Sequence, residues 1–315
     1  MGEFVSTRVA YGEALKKFGG ANEKVIALDA DLACCTMSGT FGTAYPDRHF
    51  NIGIAEANMV DIGAGLATTG KIVFVHSFAI FSAGRAFDQI RNSVCYPHLN
   101  VKVVGTHAGL SVGEDGATHQ CIEDMALMRA IPGMTVICPC DGHETEAMVK
   151  AVIDYDGPCY LRIGRAPVET VTDTIPNYHF EIGKGIELTQ GNDVTIIAIG
   201  LMVQEALKAQ KILAQEGINA RVIDMHTVKP LDQEMVIKAA KETGAIVTTE
   251  EHNVLGGLGG AVAECVAENC PVPVLRHGVN DQFGRSGAAA ALMVRYGLTP
   301  EVIAQKAKVA ISMKK

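Results

Sequence analysis

Glu56 is the side chain whose position in the sequence most directly suggests chemistry. It ends the segment His49-Phe50-Asn51-Ile52-Gly53-Ile54-Ala55-Glu56, which leads from an apolar strand into a helix of small residues. Open α/β sheets bind ligands at the carboxyl ends of their strands, so this position predicts a carboxyl group in a cleft. Burial there would favour its protonated form and suit it to proton transfer. The alternative interpretation is an ordinary acid that the helix dipole favours in a first turn.

Two aromatic residues, Phe78 and Phe81, follow the strand predicted at Ile72–Val75. Their faces could hold a flat heteroaromatic ligand, at about 0.5–1.5 kcal/mol beyond the burial of apolar area. Taken alone, however, the two rings indicate ordinary core packing more strongly than a binding site.

A glycine-rich loop carrying two histidines and two acids follows the strand predicted at Val101–Val104. It contains His107, Glu114, Asp115 and His119. Such a loop can arrange titratable groups around a cleft, although a solvated polar loop is the alternative. The spacing fits no standard zinc pattern, and no metal-binding residue is predicted in this chain.

Arg162 and Arg165 lie at the end of the last strand of the first half. A guanidinium group binds phosphate through two parallel hydrogen bonds, so this pair is a candidate phosphate site. The alternative is that both form ion pairs at a surface or interface, and for Arg162 we favour that interpretation.

The elements that must position these side chains alternate between strand and helix. In the first half the predicted strands are Val25–Leu28, Ile72–Val75, Val101–Val104, Thr135–Cys138 and Pro158–Ile163, and the predicted helices are Ala57–Thr69, Ala83–Cys95, Ile122–Ala130 and Glu144–Asp154. A second run follows, with strands at Val194–Ile199, Ala220–Ile223, Ala245–Thr249 and Val272–Leu275 and helices at Leu201–Gln215, Gln233–Thr243, Gly259–Glu268 and Thr299–Ala310. The alternation predicts an α/β fold with a mainly parallel sheet in the first of two domains. We place these domains at residues 1–175 and 185–315, with a linker over 168–190 where periodicity is lost.

Composition limits the classes of function. A net charge of −8 and a pI near 5.7 argue against nucleic acid or an anionic membrane as the main partner. Met1–Arg8 contains no apolar signal core, and nine cysteines without such a signal predict free thiols in the cytoplasm.

Several segments together resemble the transketolase family of thiamine diphosphate enzymes. The resemblance runs from about residue 7 to the C-terminus and includes the Glu56 segment, the Phe78–Phe81 pair and Gly113-Glu114-Asp115-Gly116-Ala117-Thr118-His119-Gln120. It implies a pyrimidine-binding domain followed by a transketolase C-terminal domain. It also implies that Glu56, protonated, bonds N1′ of the cofactor's aminopyrimidine while Phe78 and Phe81 stack on that ring.

The same resemblance implies roles on the substrate side. Asp115 would read a sugar hydroxyl, His119 would act on donor and intermediate oxygens, and His107 and Arg165 would hold the phosphate end. The sequence departs from the family at Gly84, at Ala108 and at Ala33-Cys34-Cys35-Thr36, where a serine-bearing loop is usual. Whether Cys34-Cys35 replaces that phosphate contact is left open.

The sequence contains no Gly-Asp-Gly, the start of the motif that holds Mg²⁺ and the cofactor diphosphate in this family. The resemblance therefore implies the C-terminal subunit of a split transketolase. An N-terminal partner would carry most of the thiamine diphosphate and Mg²⁺ contacts, in a heterotetramer that acts on sugar phosphates.

Three alternatives stay open. The chain could be a beta subunit of a 2-oxoacid decarboxylase or dehydrogenase, part of an enzyme like deoxyxylulose-phosphate synthase, or a non-catalytic partner subunit. The Gly113–Gln120 segment favours transketolase over the 2-oxoacid enzymes, which generally lack it. A glycine-rich turn at Gly256–Gly260 resembles a structural turn of the superfamily more than a nucleotide loop.

Overall fold

The computed structural model describes residues 3–314 of the chain. Its strands are β1 (Phe4–Ser6), β2 (Val25–Asp29), β3 (His49–Asn51), β4 (Ile72–Phe78), β5 (Val101–Thr106), β6 (Thr135–Ile137), β7 (Cys159–Arg162), β8 (Pro167–Glu169), β9 (Ile186–Thr189), β10 (Val194–Ala198), β11 (Ala220–Asp224), β12 (Thr227–Lys229), β13 (Ile246–Asn253) and β14 (Val274–Val279). Its α-helices are α1 (Thr7–Ala14), α2 (Ala33–Thr36), α3 (Ser38–Ala44), α4 (Glu56–Ala67), α5 (Phe87–Gln89), α6 (Asp124–Ala130), α7 (Gly142–Asp154), α8 (Met202–Gln215), α9 (Gln233–Thr243), α10 (Leu258–Asn269), α11 (Ala289–Arg295) and α12 (Pro300–Ser312). Three π-helical turns, Leu15–Gly19, Ile80–Arg85 and Ile90–Cys95, adjoin α1 and α5.

The first half is built on a seven-stranded sheet in the order β12-β6-β7-β5-β4-β2-β3. All its neighbouring strands run parallel except β12, which pairs antiparallel with β6. Every residue of β2, β4 and β5 is buried, because helices cover both faces of a parallel sheet. The predicted α/β fold with a mainly parallel sheet is confirmed.

The second half carries a five-stranded sheet in the order β14-β13-β10-β11-β9. Only β9 runs antiparallel to its neighbour. One apolar cluster contains Met125 and Met128 of the first half together with Ile223 and Val236 of the second. The two halves therefore share a core rather than meeting through a loose contact.

The structure contains short elements that the sequence patterns did not predict. β12 follows the second-half strand β11 in the chain but completes the edge of the first sheet. Within the region predicted as a linker, β8 pairs with β1 and β9 joins the second sheet. Unlike the equally short β6 and β7, the strands β8, β9 and β12 are not fully buried apolar runs, so only their pairing reveals them.

Among the described residues, none of the helices combines the length and apolar character needed to cross a bilayer. All nine cysteines are free.

Candidate active site

The side chains identified in the sequence gather beyond the carboxyl ends of neighbouring parallel strands. β2 ends at Asp29, β4 at Phe78, β5 at Thr106 and β7 at Arg162. Because parallel strands end on the same edge of a sheet, the residues that follow them converge there.

Glu56 begins α4, and only 4% of its side chain is exposed. Its Oε1 accepts a hydrogen bond from Nη1 of Arg85 at 2.9 Å. The preceding loop is held by Asn51, whose side-chain oxygen accepts from the backbone N–H of Gly53 at 2.8 Å and of Asp31 at 3.1 Å. The sequence led us to expect a protonated carboxyl among aromatic rings, whereas the structure adds a permanently charged guanidinium.

Four rings form a cluster that is linked to this carboxyl group through Arg85. Phe78 stacks on His107 with ring centroids 4.0 Å apart and lies nearly parallel to Phe81 at 5.9 Å. His119 meets Phe81 edge-on, with centroids 5.3 Å apart. The Arg85 guanidinium lies over the Phe81 ring, with Cζ 3.9 Å from its centroid. Phe81 thus offers a stacking surface directly beside the acid.

His107 directly follows β5 in a left-handed backbone conformation, with φ of 56°, and is almost fully buried. Burial, reinforced by the positive charges of Arg8 and Arg165, lowers the pKa of His107 to about 3. The imidazole is therefore neutral at physiological pH, with one nitrogen that donates and one that accepts.

Two arginines supply positive charge near His107. Arg165 is partly exposed and donates to the backbone oxygen of Val112 and, at 3.3 Å, to the Glu114 carboxylate. Arg8, in α1, donates to the backbone oxygen of Cys35 at 2.9 Å, and its buried Nε has no partner among the described residues. Sequence reasoning missed Arg8 because it lies in no recognised motif, and a lone arginine near the N-terminus was its only signal.

Asp115 adjoins Glu114, the partner of Arg165, in the glycine-rich loop. It is exposed in the turn that follows Gly113, and it makes no hydrogen bond or ion pair with residues 3–314. The second half of the chain holds the loop on either side of it. Gln120 Nε2 donates to the backbone oxygen of Arg285 at 2.9 Å, and the Ser286 hydroxyl donates to that of Glu114 at 2.5 Å.

The segment with adjacent cysteines forms α2. The Asp29 carboxylate before it is fully buried and accepts hydrogen bonds from the Leu32 N–H and from the hydroxyls of Thr36 and Ser38. Asp29 therefore holds this loop in place. The loop approaches the cationic side of the site through the Arg8 contact to Cys35.

The glycine-rich turn before α10 has a structural role. The buried Glu250 carboxylate accepts from the backbone N–H groups of Leu258 and Gly259, both at 2.8 Å. These are N–H groups that a phosphate at this helix terminus would need. The side chain of Glu250 thus takes the place that a nucleotide would require.

A second cluster of potential ligand atoms lies where the two halves meet. Cys140, Glu144 and Asp224 are fully buried, and their ligand atoms lie within 4.8 Å of one another. Glu144 accepts from the Cys140 N–H and the Tyr178 hydroxyl, both at 2.7 Å, whereas neither Asp224 oxygen has a hydrogen-bond partner in the described chain. Burial raises the pKa of Glu144 to about 7 and that of Asp224 well above its usual range. Burial and the proximity of the second carboxyl group both disfavour the charged forms, so the pair favours partial protonation.

Known proteins resemble the chain over its whole length. Residues 3–170 match the family described as Transketolase, pyrimidine binding domain, and residues 183–303 match Transketolase, C-terminal domain. A Methanocaldococcus jannaschii protein with the provisional name transketolase C-terminal section is 49% identical, over 97% of this chain and 96% of its own. A 6-deoxy-6-sulfo-D-fructose transketolase subunit from a Clostridium species is 44% identical, over 95% of this chain and 92% of its own.

A solved structure described as a split gene transketolase, an inactive beta4 tetramer, superposes with a TM-score of 0.92 at 50% identity. The match covers 99% of this chain and all of that one. The predicted family resemblance is thereby confirmed, and the chain belongs to the transketolase family as a section that carries the pyrimidine-binding and C-terminal domains.

Proposed function

We propose that this chain is the C-terminal subunit of a heteromeric transketolase, which transfers a two-carbon ketol unit from a ketose phosphate to an aldose phosphate. The observation that carries the proposal is the convergence of Glu56, Phe81, His107 and His119 at one sheet edge. Transketolases use thiamine diphosphate, which supplies the electron sink for breaking and forming carbon–carbon bonds.

The residues present fit the aminopyrimidine part of that cofactor. A flat group with N–H donors already bonds Glu56 while lying over Phe81, namely the guanidinium of Arg85. Glu56 would exchange a proton with N1′ of the aminopyrimidine, and Phe78 and Phe81 would orient the ring by stacking. Because Glu56 is buried, water has little access to the proton that it exchanges with N1′.

His107, whose imidazole is neutral, would bind the sugar phosphate together with His119 and Arg165. His119 would hydrogen-bond to the sugar oxygens and help move protons there, while Arg165 and His107 would bind the phosphate end. We add Arg8 to this set because it lies close enough to His107 to affect its pKa and has a buried donor without a partner among the described residues. Asp115 would hydrogen-bond to a sugar hydroxyl, since its exposed carboxylate forms no hydrogen bond or ion pair with the described residues.

A separate N-terminal subunit would supply the Mg²⁺ and diphosphate contacts, in a cytoplasmic heterotetramer. The segment around Glu56 supports such a partner, since Phe50 and Ile54 leave 46% and 75% of their surfaces exposed. The similar beta4 tetramer, which contains only one kind of subunit and is described as inactive, also supports the need for a second subunit. Domains at residues 1–175 and 185–315, with a linker over 168–190, are part of this proposal.

The test is ketol transfer from xylulose 5-phosphate to ribose 5-phosphate with thiamine diphosphate and Mg²⁺. We expect no activity from this chain alone and activity after co-expression with the correct N-terminal subunit. Glu56→Gln should abolish transfer while the heterocomplex still assembles. If the Glu56→Gln complex transferred ketol at the wild-type rate, the role of Glu56 would be wrong.

The same mixture separates the alternatives. Decarboxylation of a 2-oxoacid without ketol transfer would identify a 2-oxoacid enzyme or a relative of deoxyxylulose-phosphate synthase. A complex that binds no cofactor would identify a non-catalytic subunit. Since one relative is named for a sulfosugar, the donor assay should include ketoses with other anionic ends.

A further inference from the structure

Arg85 is a charged residue of the site to which the proposed function gives no task. It ends the π-helical turn Ile80–Arg85, and half of its side chain is exposed. Glu56 is the only carboxylate among the described residues with which it forms an ion pair. π-Helical turns are rare and occur often at functional sites.

The contacts of Arg85 are those of an aminopyrimidine ring protonated at N1′, which would donate its N1′–H to the Glu56 carboxylate. A guanidinium is planar, stacks on aromatic faces and donates N–H groups in its plane. Here it lies 3.9 Å from the Phe81 centroid and donates to Glu56 at 2.9 Å. A ligand ring that stacks on Phe81 and bonds Glu56 would need both of these contacts.

We infer that Arg85 is an internal placeholder, which occupies the pyrimidine-binding site of the free chain and leaves when the cofactor ring binds. This inference rests on the proposed function. Without Arg85, the buried Glu56 carboxylate would keep, among the described residues, only the long hydrogen bond from the Ser77 hydroxyl at 3.5 Å, and a buried charge without an ionic partner is costly. Arg85 therefore stabilises the site before assembly and opposes cofactor binding, and its exposed half provides a route into solvent.

The experiment compares thiamine diphosphate binding by the wild-type heterocomplex and by Arg85→Ala, using isothermal titration calorimetry at fixed Mg²⁺. Loss of one partly exposed ion pair and one cation–π contact should tighten binding about five- to tenfold. Arg85→Lys keeps the charge without the planar group, so its affinity for thiamine diphosphate should lie between those of the wild type and Arg85→Ala. Arg91→Ala is the control, because Arg91 lies in the next turn and, among the described residues, its side chain donates only to its neighbour Asn92.

Equal or weaker binding by Arg85→Ala would overturn the inference and make Arg85 a permanent partner of Glu56. If the Arg85→Ala complex fails to assemble, the Arg85→Lys complex is used instead, and binding of thiamine diphosphate no tighter than in the wild type would again overturn the inference. A wild-type complex that binds no thiamine diphosphate would instead refute the proposed function, so the two failures are distinguishable.

Discussion

Arg162 and Asp124 form a buried ion pair that also ties the two halves of the chain together. Arg162 Nε donates to Asp124 Oδ2 at 2.9 Å, and the two side chains are only 5% and 0% exposed. Nη2 of the same guanidinium donates to the backbone oxygen of Glu251 in the second half, also at 2.9 Å. Arg162 is thus part of a buried structural ion pair, whereas Arg165 pairs with Glu114 in a partly exposed setting.

Asp124→Ala should strongly destabilise the chain. Removing one partner leaves the buried guanidinium uncompensated, so we expect a loss of about 3–5 kcal/mol in the free energy of unfolding. Urea unfolding of the wild type and the variant measures this difference in the free energy of unfolding. The control is Glu264→Ala, which removes an exposed carboxylate paired with Arg129 and should cost no more than about 1 kcal/mol. Similar losses in both variants would contradict a special role for the buried pair.

The Glu144–Asp224 pair predicts that stability falls as pH rises. The pKa of Glu144 is raised from 4.5 to about 7 in the folded chain, so between these values the folded state binds more protons than the unfolded state. The free energy of unfolding should therefore decrease from about pH 4.5 to about pH 7, with up to about 3 kcal/mol of that loss due to Glu144. The raised pKa of Asp224 acts in the same direction.

Glu144→Gln removes that titration and should flatten the pH profile of the urea midpoint. The stability of the variant relative to the wild type should therefore increase as pH rises. Glu146→Gln, on the same helix but exposed, is the matched control and should follow the wild-type profile. Parallel profiles for wild type and Glu144→Gln would show that the pKa of Glu144 is not raised in the folded chain.

Gly109 is predicted to tolerate no side chain. Its φ is 82°, and an added Cβ would overlap with the Glu251 carboxylate that binds Ser111. Gly70 has the same φ but nothing within 4 Å of an added Cβ. Gly70→Ala should therefore cost only the backbone strain of about 1–2 kcal/mol. Gly109→Ala should lower the thermal midpoint further, and equal midpoints would contradict the predicted clash.

Arg165→Ala should weaken the use of phosphorylated donors selectively. Loss of a charge-assisted contact to phosphate costs about 1.5–3 kcal/mol, so KM for xylulose 5-phosphate should rise about 10- to 150-fold in the heterocomplex. Turnover of unphosphorylated xylulose should change little. Lys150→Ala, on α7, serves as a matched control for the loss of a positive charge. An equal loss of activity with xylulose 5-phosphate and with xylulose would assign Arg165 to another role.

His119→Ala should act differently, because His119 lies against Phe81 rather than at the phosphate end. We expect kcat to fall for both xylulose 5-phosphate and xylulose, by about 10²- to 10⁴-fold if proton transfer is lost. A rise in KM with unchanged kcat would reduce His119 to a binding residue.

Much of this site could be predicted from sequence because its signals are local. The apolar runs that became β2, β4 and β5 identify buried parallel strands, and the groups after them must lie at one edge. Glu56, Phe78 and Phe81 were located in this way and by family resemblance. Arg8 was missed, since its helix was not predicted and its approach to His107 depends on how α1 packs.

The sequence by itself determined the order of the main strands and helices, the family and the chemical groups at the strand ends, because residue type and periodicity are local properties. Only the tertiary structure decided which groups meet. It pairs Glu56 with Arg85, 29 residues away, and sets Asp224 of the second half beside Glu144 of the first. Such contacts depend on the packing of sheets and helices, which brings together side chains whose separation in the chain carries no pattern.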